Sequence, residues 1–161
     1  MSKIFLGVDP GLGGAFAFYN SQDKSLEIID MPVTEVTRNG KTKREVSAAL
    51  VAGIVAGRGI EVAIVERVGA MPNQGVTSVF SFGKSAGIIE GVLAAYEIPT
   101  HFASPQAWQK MFGVRAGKDG SRECAIRTFP RYADQFKRKK DDGRSDAALI
   151  ALYCSRLWSE G

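Results

Sequence analysis

The sequence predicts an α/β fold, built on a mixed five-stranded sheet with helices on both faces. The first 31 residues contain three strand-like segments with short links, which is typical of antiparallel hairpins. Residues 61–66 are apolar on both faces, which indicates a central strand running parallel to the first. Helical and strand-like patterns then alternate along the rest of the chain, so helices are expected to cover both faces of the sheet.

The elements follow one another without an internal repeat or an interdomain linker, so residues 1–161 are expected to form one domain. Residues 33–43 are polar and are expected to form a loop. The predicted strands are 3–9, 15–19, 25–31, 61–66 and 99–103, and the predicted helices are 44–57, 77–96, 105–112, 121–129 and 143–158.

The composition indicates a globular protein with a basic surface. The 161 residues are 45% hydrophobic and 24% charged, with a net charge of +4. No apolar run is long enough for a signal peptide or a membrane span, so a cytoplasmic protein without a membrane partner is expected. With two cysteines, Cys124 and Cys154, and one histidine, His101, a zinc site is not expected, and the thiols are interpreted as buried and reduced.

Four acidic residues occupy positions where a buried core would favour other side chains. Asp9 and Glu66 each end an apolar strand, and Asp142 and Asp146 lie four apart on one face of the last predicted helix. A carboxylate at the end of a buried strand is costly unless a positive charge compensates it. Mg²⁺ prefers oxygen ligands, so four converging carboxylates are interpreted as a catalytic site for a pair of Mg²⁺ ions.

Each carboxylate also has a purely structural interpretation. Asp9 is compatible with a simple turn, Asp146 with an acid favoured by the helix dipole, and Asp141 or Asp142 with an N-cap. Glu66 ends a central strand and has no local capping role, which favours the interpretation as one shared site.

Three segments resemble the motifs of RuvC-type Holliday junction resolvases. Gly7–Ala15 resembles the first motif, Ile64–Glu66 the second and Asp142–Ala151 the third, in the same order along the chain. Residues 71–83 and 104–108 are similar to phage-type members. The resemblance therefore extends over nearly the whole chain.

The resemblance implies a ribonuclease H-like fold, a homodimer and Mg²⁺-dependent cleavage of four-way DNA junctions during recombination and repair. Two symmetric nicks would leave ends that a ligase can seal. Asp9, Glu66, Asp142 and Asp146 match the catalytic and metal-binding positions, with two Mg²⁺ ions per site that Mn²⁺ can replace.

One departure from the family concerns the last two acids. Bacterial members commonly space them three apart, and here that position is Gly143. Asp141 is therefore a rival for Asp142 as the third ligand. We favour Asp142, because a spacing of five from Asp146 leaves the helix face.

Two segments are expected to contact DNA phosphates, namely the loop after Glu66 and the basic, glycine-rich loop 113–120. The resemblance also suggests an apolar wedge at the junction centre, for which Met71 and Phe80 are the nearest candidates. Phe80 is nevertheless expected to pack in the helix core or at the start of the helix. The candidate DNA contacts are Arg67, Asn73, Gln74, Lys110, Arg115, Lys118 and Arg122.

Gly83, Gly87 and Gly91 recur every four residues on one predicted helix. Glycine lowers helix stability by about 1 kcal/mol against alanine, which the close approach of another backbone would offset. That backbone belongs either to the sheet of the same subunit or to a second subunit.

Other functions remain open at the level of sequence. The same fold could act on flaps, forks or RNA–DNA hybrids, or could bind junctions without cutting them. An Asp-x-Gly motif after an apolar strand, here Asp9-Pro10-Gly11, also occurs in actin-like kinases and ATPases, where the glycines hold a nucleotide phosphate. Those proteins need a second, similar domain, for which 161 residues leave no room. No nucleotide cofactor is therefore expected.

Overall fold

The computed structural model describes residues 2–67 and 69–159. The strands are β1 Ile4–Asp9, β2 Ala15–Asn20, β3 Leu26–Asp30, β4 Val33–Arg38, β5 Lys41–Val46, β6 Ile60–Glu66 and β7 Thr100–Ala103. The helices are α1 Ala48–Val55, α2 Val76–Ala95, α3 Pro105–Phe112, α4 Gly120–Thr128 and α5 Asp142–Trp158, with 3₁₀ turns at Pro130–Phe136 and Lys139–Asp141.

The main sheet has five strands in the order β3-β2-β1-β6-β7. The pairs β1–β2 and β2–β3 are antiparallel, whereas β6 runs parallel to both β1 and β7. This mixed sheet confirms the predicted fold class, because short turns allow only antiparallel neighbours and the parallel pairs need the crossover helices α1 and α2.

Side chains alternate between the two faces of β1, which separates the core into two layers. Phe5 packs with α5, whereas Leu6 and Val8 pack with α1 and α2 on the opposite face. All three side chains are fully buried. Helices therefore cover both faces of the central strands, as the sequence predicts.

Gly7 allows α5 to lie directly on β1. A Cβ added at this position would collide with the backbone of Ala147 and Ala151 in α5. Gly7 and Asp9 lie two apart on one strand, so they face the same side of the sheet. The close contact at Gly7 therefore brings the beginning of α5 next to Asp9.

The segment predicted as the loop 33–43 is instead most of a hairpin, and this prediction is wrong. β4 and β5 form a separate two-stranded sheet in which Arg38 pairs with Lys41 around an Asn39-Gly40 turn. Both turn residues have positive φ, 53° and 72°, as a tight hairpin turn of this kind requires. Because both faces of the hairpin are largely exposed, its sequence lacks the apolar alternation that identifies buried strands.

The hairpin also shortens the first helix. The predicted helix 44–57 covers only Ala48–Val55, because its first residues belong to β5. Ser47 caps the helix by accepting a hydrogen bond from the Leu50 amide at 3.3 Å. The other predicted elements agree with the structure to within two residues at each end. None of the helices in the described part of the chain has the length and apolarity needed to cross a membrane.

Candidate active site

Asp9 and Glu66 lie side by side at one edge of the sheet. Val8 pairs with Val65 in the parallel ladder, so the next residue of each strand lies on the adjoining rung. Neighbouring strands are about 4.8 Å apart, and residues at the same level of a parallel pair face the same side. Both carboxylates therefore lie on the face of the sheet that α5 covers.

Asp146 joins them from the first turns of α5. Burial raises its pKa to about 8, and repulsion from Asp9, Glu66 and Asp142 adds to this shift. A hydrogen bond from the Ser121 side chain opposes it. The pKa of this carboxyl thus responds to all three other predicted site residues, so the four acids form one electrostatic cluster.

The pKa values of the other two buried acids are also raised. Burial raises the pKa of Asp9, although the Gly11 amide donates to its Oδ1 at 3.2 Å and opposes the change. Burial raises the pKa of Glu66 to about 7, and the Asp9 charge adds to it. Among the described residues, neither acid forms an ion pair with a lysine or arginine.

Trp108 positions Glu66, a role that sequence reasoning missed. The indole Nε1–H of this fully buried residue donates to Glu66 Oε2 at 2.7 Å. Trp108 packs in the core on the α5 side of the sheet. No local pattern reveals the hydrogen bond, because its partners lie 42 residues apart.

Asp141 and Asp142 have different environments. Asp141 is only 1% exposed and accepts hydrogen bonds from the amide and guanidinium of Arg138, which hold its pKa low against the effect of burial. Asp142 is exposed and repels both Asp9 and Asp146. Of the two rivals, Asp142 therefore faces the cluster and Asp141 closes the turn before α5.

Arg122 binds Asp142 and is held in place by other groups. Its Nε lies 3.1 Å from Asp142 Oδ1, its Nη1 donates to the Lys137 carbonyl at 2.9 Å, and its Nη2 donates to Asp119. The side chain is 12% exposed. This geometry makes Arg122 a structural partner of Asp142, and we do not retain it as a phosphate contact.

The other candidate DNA contacts lie on the surface around the cluster. Lys110 and Lys118 are exposed, while Arg115 donates twice to Glu123, each at 2.8 Å. The Arg67 guanidinium lies 5.4 Å from the Phe102 ring centroid. In the loop before α2, Asn73 and Gln74 are exposed, and Gln74 accepts from the Met71 amide at 3.1 Å.

Phe80 does not pack in the core, contrary to expectation. Its side chain is 74% exposed on the first turns of α2, and Met71 is 67% exposed in the preceding loop. Both apolar side chains are thus largely exposed, and Phe80 lies beside the β4–β5 hairpin. A wedge role for either residue stays a prediction.

The cluster fits divalent cations by the chemistry of its donors. Four carboxylates offer hard oxygen ligands. Burial raises the pKa of three of them, Asp9, Glu66 and Asp146, and repulsion from neighbouring acids adds to each shift. Within residues 2–67 and 69–159, no three histidine, cysteine or acidic side chains are already drawn together as a metal-binding group. Binding ions would therefore require the carboxylates to move closer together, Asp142 away from Arg122 among them.

The chain has a ribonuclease H-like α/β fold, with two acids, Asp9 and Glu66, at the carboxyl ends of its central strands. This fold is similar to that of solved Holliday junction resolvase structures. Thermus thermophilus RuvC in complex with a Holliday junction substrate superposes with a TM-score of 0.64 at 13% identity, covering 98% of this chain and 97% of that one.

Two further solved structures also have a similar fold. A second Thermus thermophilus RuvC structure gives a TM-score of 0.58 at 14% identity, covering 97% of this chain and 96% of that one. The yeast mitochondrial Holliday junction resolvase Ydc2 gives 0.57 at 15% identity, covering 96% of this chain and 78% of that one. No family model matches the chain, and no curated protein matches its sequence.

Proposed function

We propose that this protein is a Mg²⁺-dependent endonuclease that resolves four-way DNA junctions by paired symmetric nicks. The observation that supports it most is the electrostatic coupling of Asp9, Glu66, Asp142 and Asp146 at one edge of a RuvC-like sheet. Among the described residues, Asp9, Glu66 and Asp146 form no ion pair with a lysine or arginine, whereas Asp142 is paired with Arg122. Buried acids without a balancing cation are unfavourable for stability, and a divalent-cation site accounts for them. One RuvC neighbour is bound to a Holliday junction, which supports the same substrate here.

The proposed reaction assigns a different role to each of several site residues. Asp9 ends the central strand β1 and interacts electrostatically with Glu66, Asp142 and Asp146, and we assign it as the central ligand of the cluster. Trp108 orients Glu66 through its indole N–H, so this proposed ligand is already held in place. Divalent ions held there would activate a water molecule and stabilise the leaving oxygen.

A homodimer suits a twofold-symmetric substrate. Gly83, Gly87 and Gly91 are exposed on α2, and no atom of the described chain outside the helix lies within 4 Å of a Cβ added at any of them. These three glycines, which we call the glycine stripe, therefore do not pack against the sheet of the same subunit. We infer that the stripe packs against α2 of a second copy.

Asp9→Asn tests the chemistry. We expect loss of cleavage by about 1,000-fold or more, because losing the central ligand removes several kcal/mol of transition-state stabilisation. Junction binding in Ca²⁺ should persist or tighten, because a charge that repels phosphate is removed. The measurement is cleavage of a labelled four-way junction in Mg²⁺, beside binding of the same junction by fluorescence anisotropy.

Asp23→Asn is the matched control, since Asp23 lies in the turn between β2 and β3 at the opposite end of the sheet. It should cut at the wild-type rate. Near wild-type cutting by Asp9→Asn, or loss of binding together with cutting, would contradict the proposal. If the protein nicks a fork or a flap in preference to the four-way junction, the proposed nuclease chemistry stands but the proposed substrate is wrong.

A further inference from the structure

The β4–β5 hairpin projects a cationic surface that the candidate site does not use. Each strand has six residues, which corresponds to a ribbon about 20 Å long. Lys41 and Lys43 lie on one face, and Arg44 lies on the other. All three are exposed, and among the described residues none of them forms an ion pair.

Three adjoining depressions extend from this hairpin to the loop that follows Asp9, and we call them together the basic groove. The first, about 520 Å³, lies beside Gly13 and Gly14, the loop that follows Asp9. The second lies between Leu12, Gln74 and α2, and the third lies between the hairpin and α2. Arg44 lines all three, so the groove is continuous along the hairpin.

The charge of the basic groove is strongly unbalanced. Its acids are already paired, since Arg38 and Lys84 bind Glu45, Arg144 binds Asp30, and Arg138 binds Asp141. Such a surplus along an extended groove fits a polyanion. The lining includes eight cationic residues, Arg38, Lys41, Lys43, Arg44, Lys84, Arg138, Lys140 and Arg144, and three acidic residues, Asp30, Glu45 and Asp141.

The hairpin is anchored at its base, so its cations are held in a defined direction. Val46 is 5% exposed in the core layer under α1 and α2, and the Ser47 amide donates to the Pro32 carbonyl at 2.9 Å. Lys84 Nζ lies 3.1 Å from Glu45 Oε2 and links the hairpin to α2. A ribbon fixed in this way can follow a nucleic-acid backbone beyond the reach of the carboxylates.

We propose that the β4–β5 hairpin is a second DNA-binding element, in which Lys41, Lys43 and Arg44 bind the phosphate backbone of a duplex arm leading to the carboxylate cluster. The inference rests on the proposed function for the identity of the DNA. These contacts are to phosphates, so they contribute affinity and salt dependence rather than sequence preference.

The test is the triple variant Lys41→Gln/Lys43→Gln/Arg44→Gln, assayed for binding to a four-way junction in Ca²⁺ over a range of NaCl concentrations. We expect affinity to fall about 10- to 100-fold at moderate salt. The slope of log K against log salt should decrease by about 2.7, or roughly 0.9 for each lost phosphate contact.

The matched control is Lys3→Gln/Lys24→Gln/Arg131→Gln. It also removes two lysines and one arginine, but Lys3 and Lys24 lie at the end of the sheet away from Asp9, and Arg131 acts on Asp23 there. Its affinity and slope should stay within about twofold of wild type. The charge-preserving variant Lys41→Arg/Lys43→Arg/Arg44→Lys should restore binding, and melting curves should show that all variants are folded.

Wild-type affinity and slope in the hairpin variant, or an equal loss in the control, would overturn the inference. Wild-type protein that binds the junction but does not cut it in Mg²⁺ would refute the proposed nuclease while the hairpin contact is still measured. Wild-type protein that binds no DNA would overturn both.

Discussion

At the scale of single residues, the carboxyl of Asp146 is a source of pH-dependent instability. Its pKa is about 8 in the folded protein and about 3.9 in an unfolded chain, so the folded state binds more protons between these values. The stability that this group contributes is complete below pH about 3.9 and is lost as pH rises to about 8, because burial and then repulsion by the neighbouring acids disfavour the ionised form. Glu66, with a pKa of about 7, acts in the same direction.

Asp146→Asn should therefore stabilise the metal-free protein at pH 8.5 and have a smaller effect at pH 5. We expect a rise in Tm of at least about 3 °C at the higher pH, the shift that roughly 1 kcal/mol produces in a chain of this size. Thermal unfolding in EDTA measures it. Addition of Mg²⁺ should raise the Tm of wild type and have less effect on the variant; an equal response of both would remove Asp146 from the ligand set.

The sequence allowed the four acids to be singled out as candidates, because each ends a strand or lies at the beginning of a helix. The sequence did not reveal which side chains bind these acids in the folded protein. Arg122 lies in a glycine-rich basic segment and resembles a phosphate contact, yet the fold places it against Asp142, 20 residues later. Contacts of this kind depend on how α4 packs on α5, which no local pattern records.

At the scale of elements, the close packing of α5 on β1 determines whether the carboxylate cluster forms. Gly7→Ala should destabilise the protein by roughly 3 kcal/mol or more, because the added Cβ meets backbone of Ala147 and Ala151 that cannot move aside as a side chain can. Chemical denaturation measures the change. Gly53→Ala is the control: nothing lies within 4 Å of its Cβ in α1, so we expect a gain of up to about 1 kcal/mol. Equal effects of the two substitutions would contradict the close packing.

The elements that sequence predicted well are those whose burial leaves a pattern. β1, β6 and α5 are apolar where they enter the core, and they define both the fold and the cluster. The β4–β5 hairpin was missed because its strands expose most of both faces, and Asn39-Gly40 was the signal available for it. Apolar periodicity therefore detects the scaffold and overlooks a charged surface ribbon.

At the scale of the whole molecule, the proposed twofold symmetry depends on the exposed face of α2. Gly87→Leu should leave the fold intact, since nothing in the described chain outside the helix lies within 4 Å of its Cβ, but should prevent two α2 helices from approaching closely. We expect the variant to be monomeric where wild type is dimeric, as measured by light scattering after size exclusion. A monomer should nick junctions singly, because paired nicks need two sites held on one substrate.

Ala107→Leu is the control for this substitution, as it adds an apolar side chain at an exposed position of a different helix, α3. It should remain dimeric and should nick both strands. A dimeric Gly87→Leu variant would exclude the glycine stripe as the interface. A monomeric wild type that still makes paired nicks would exclude the dimer itself, because two symmetric cuts would then come from one cluster that binds the junction twice.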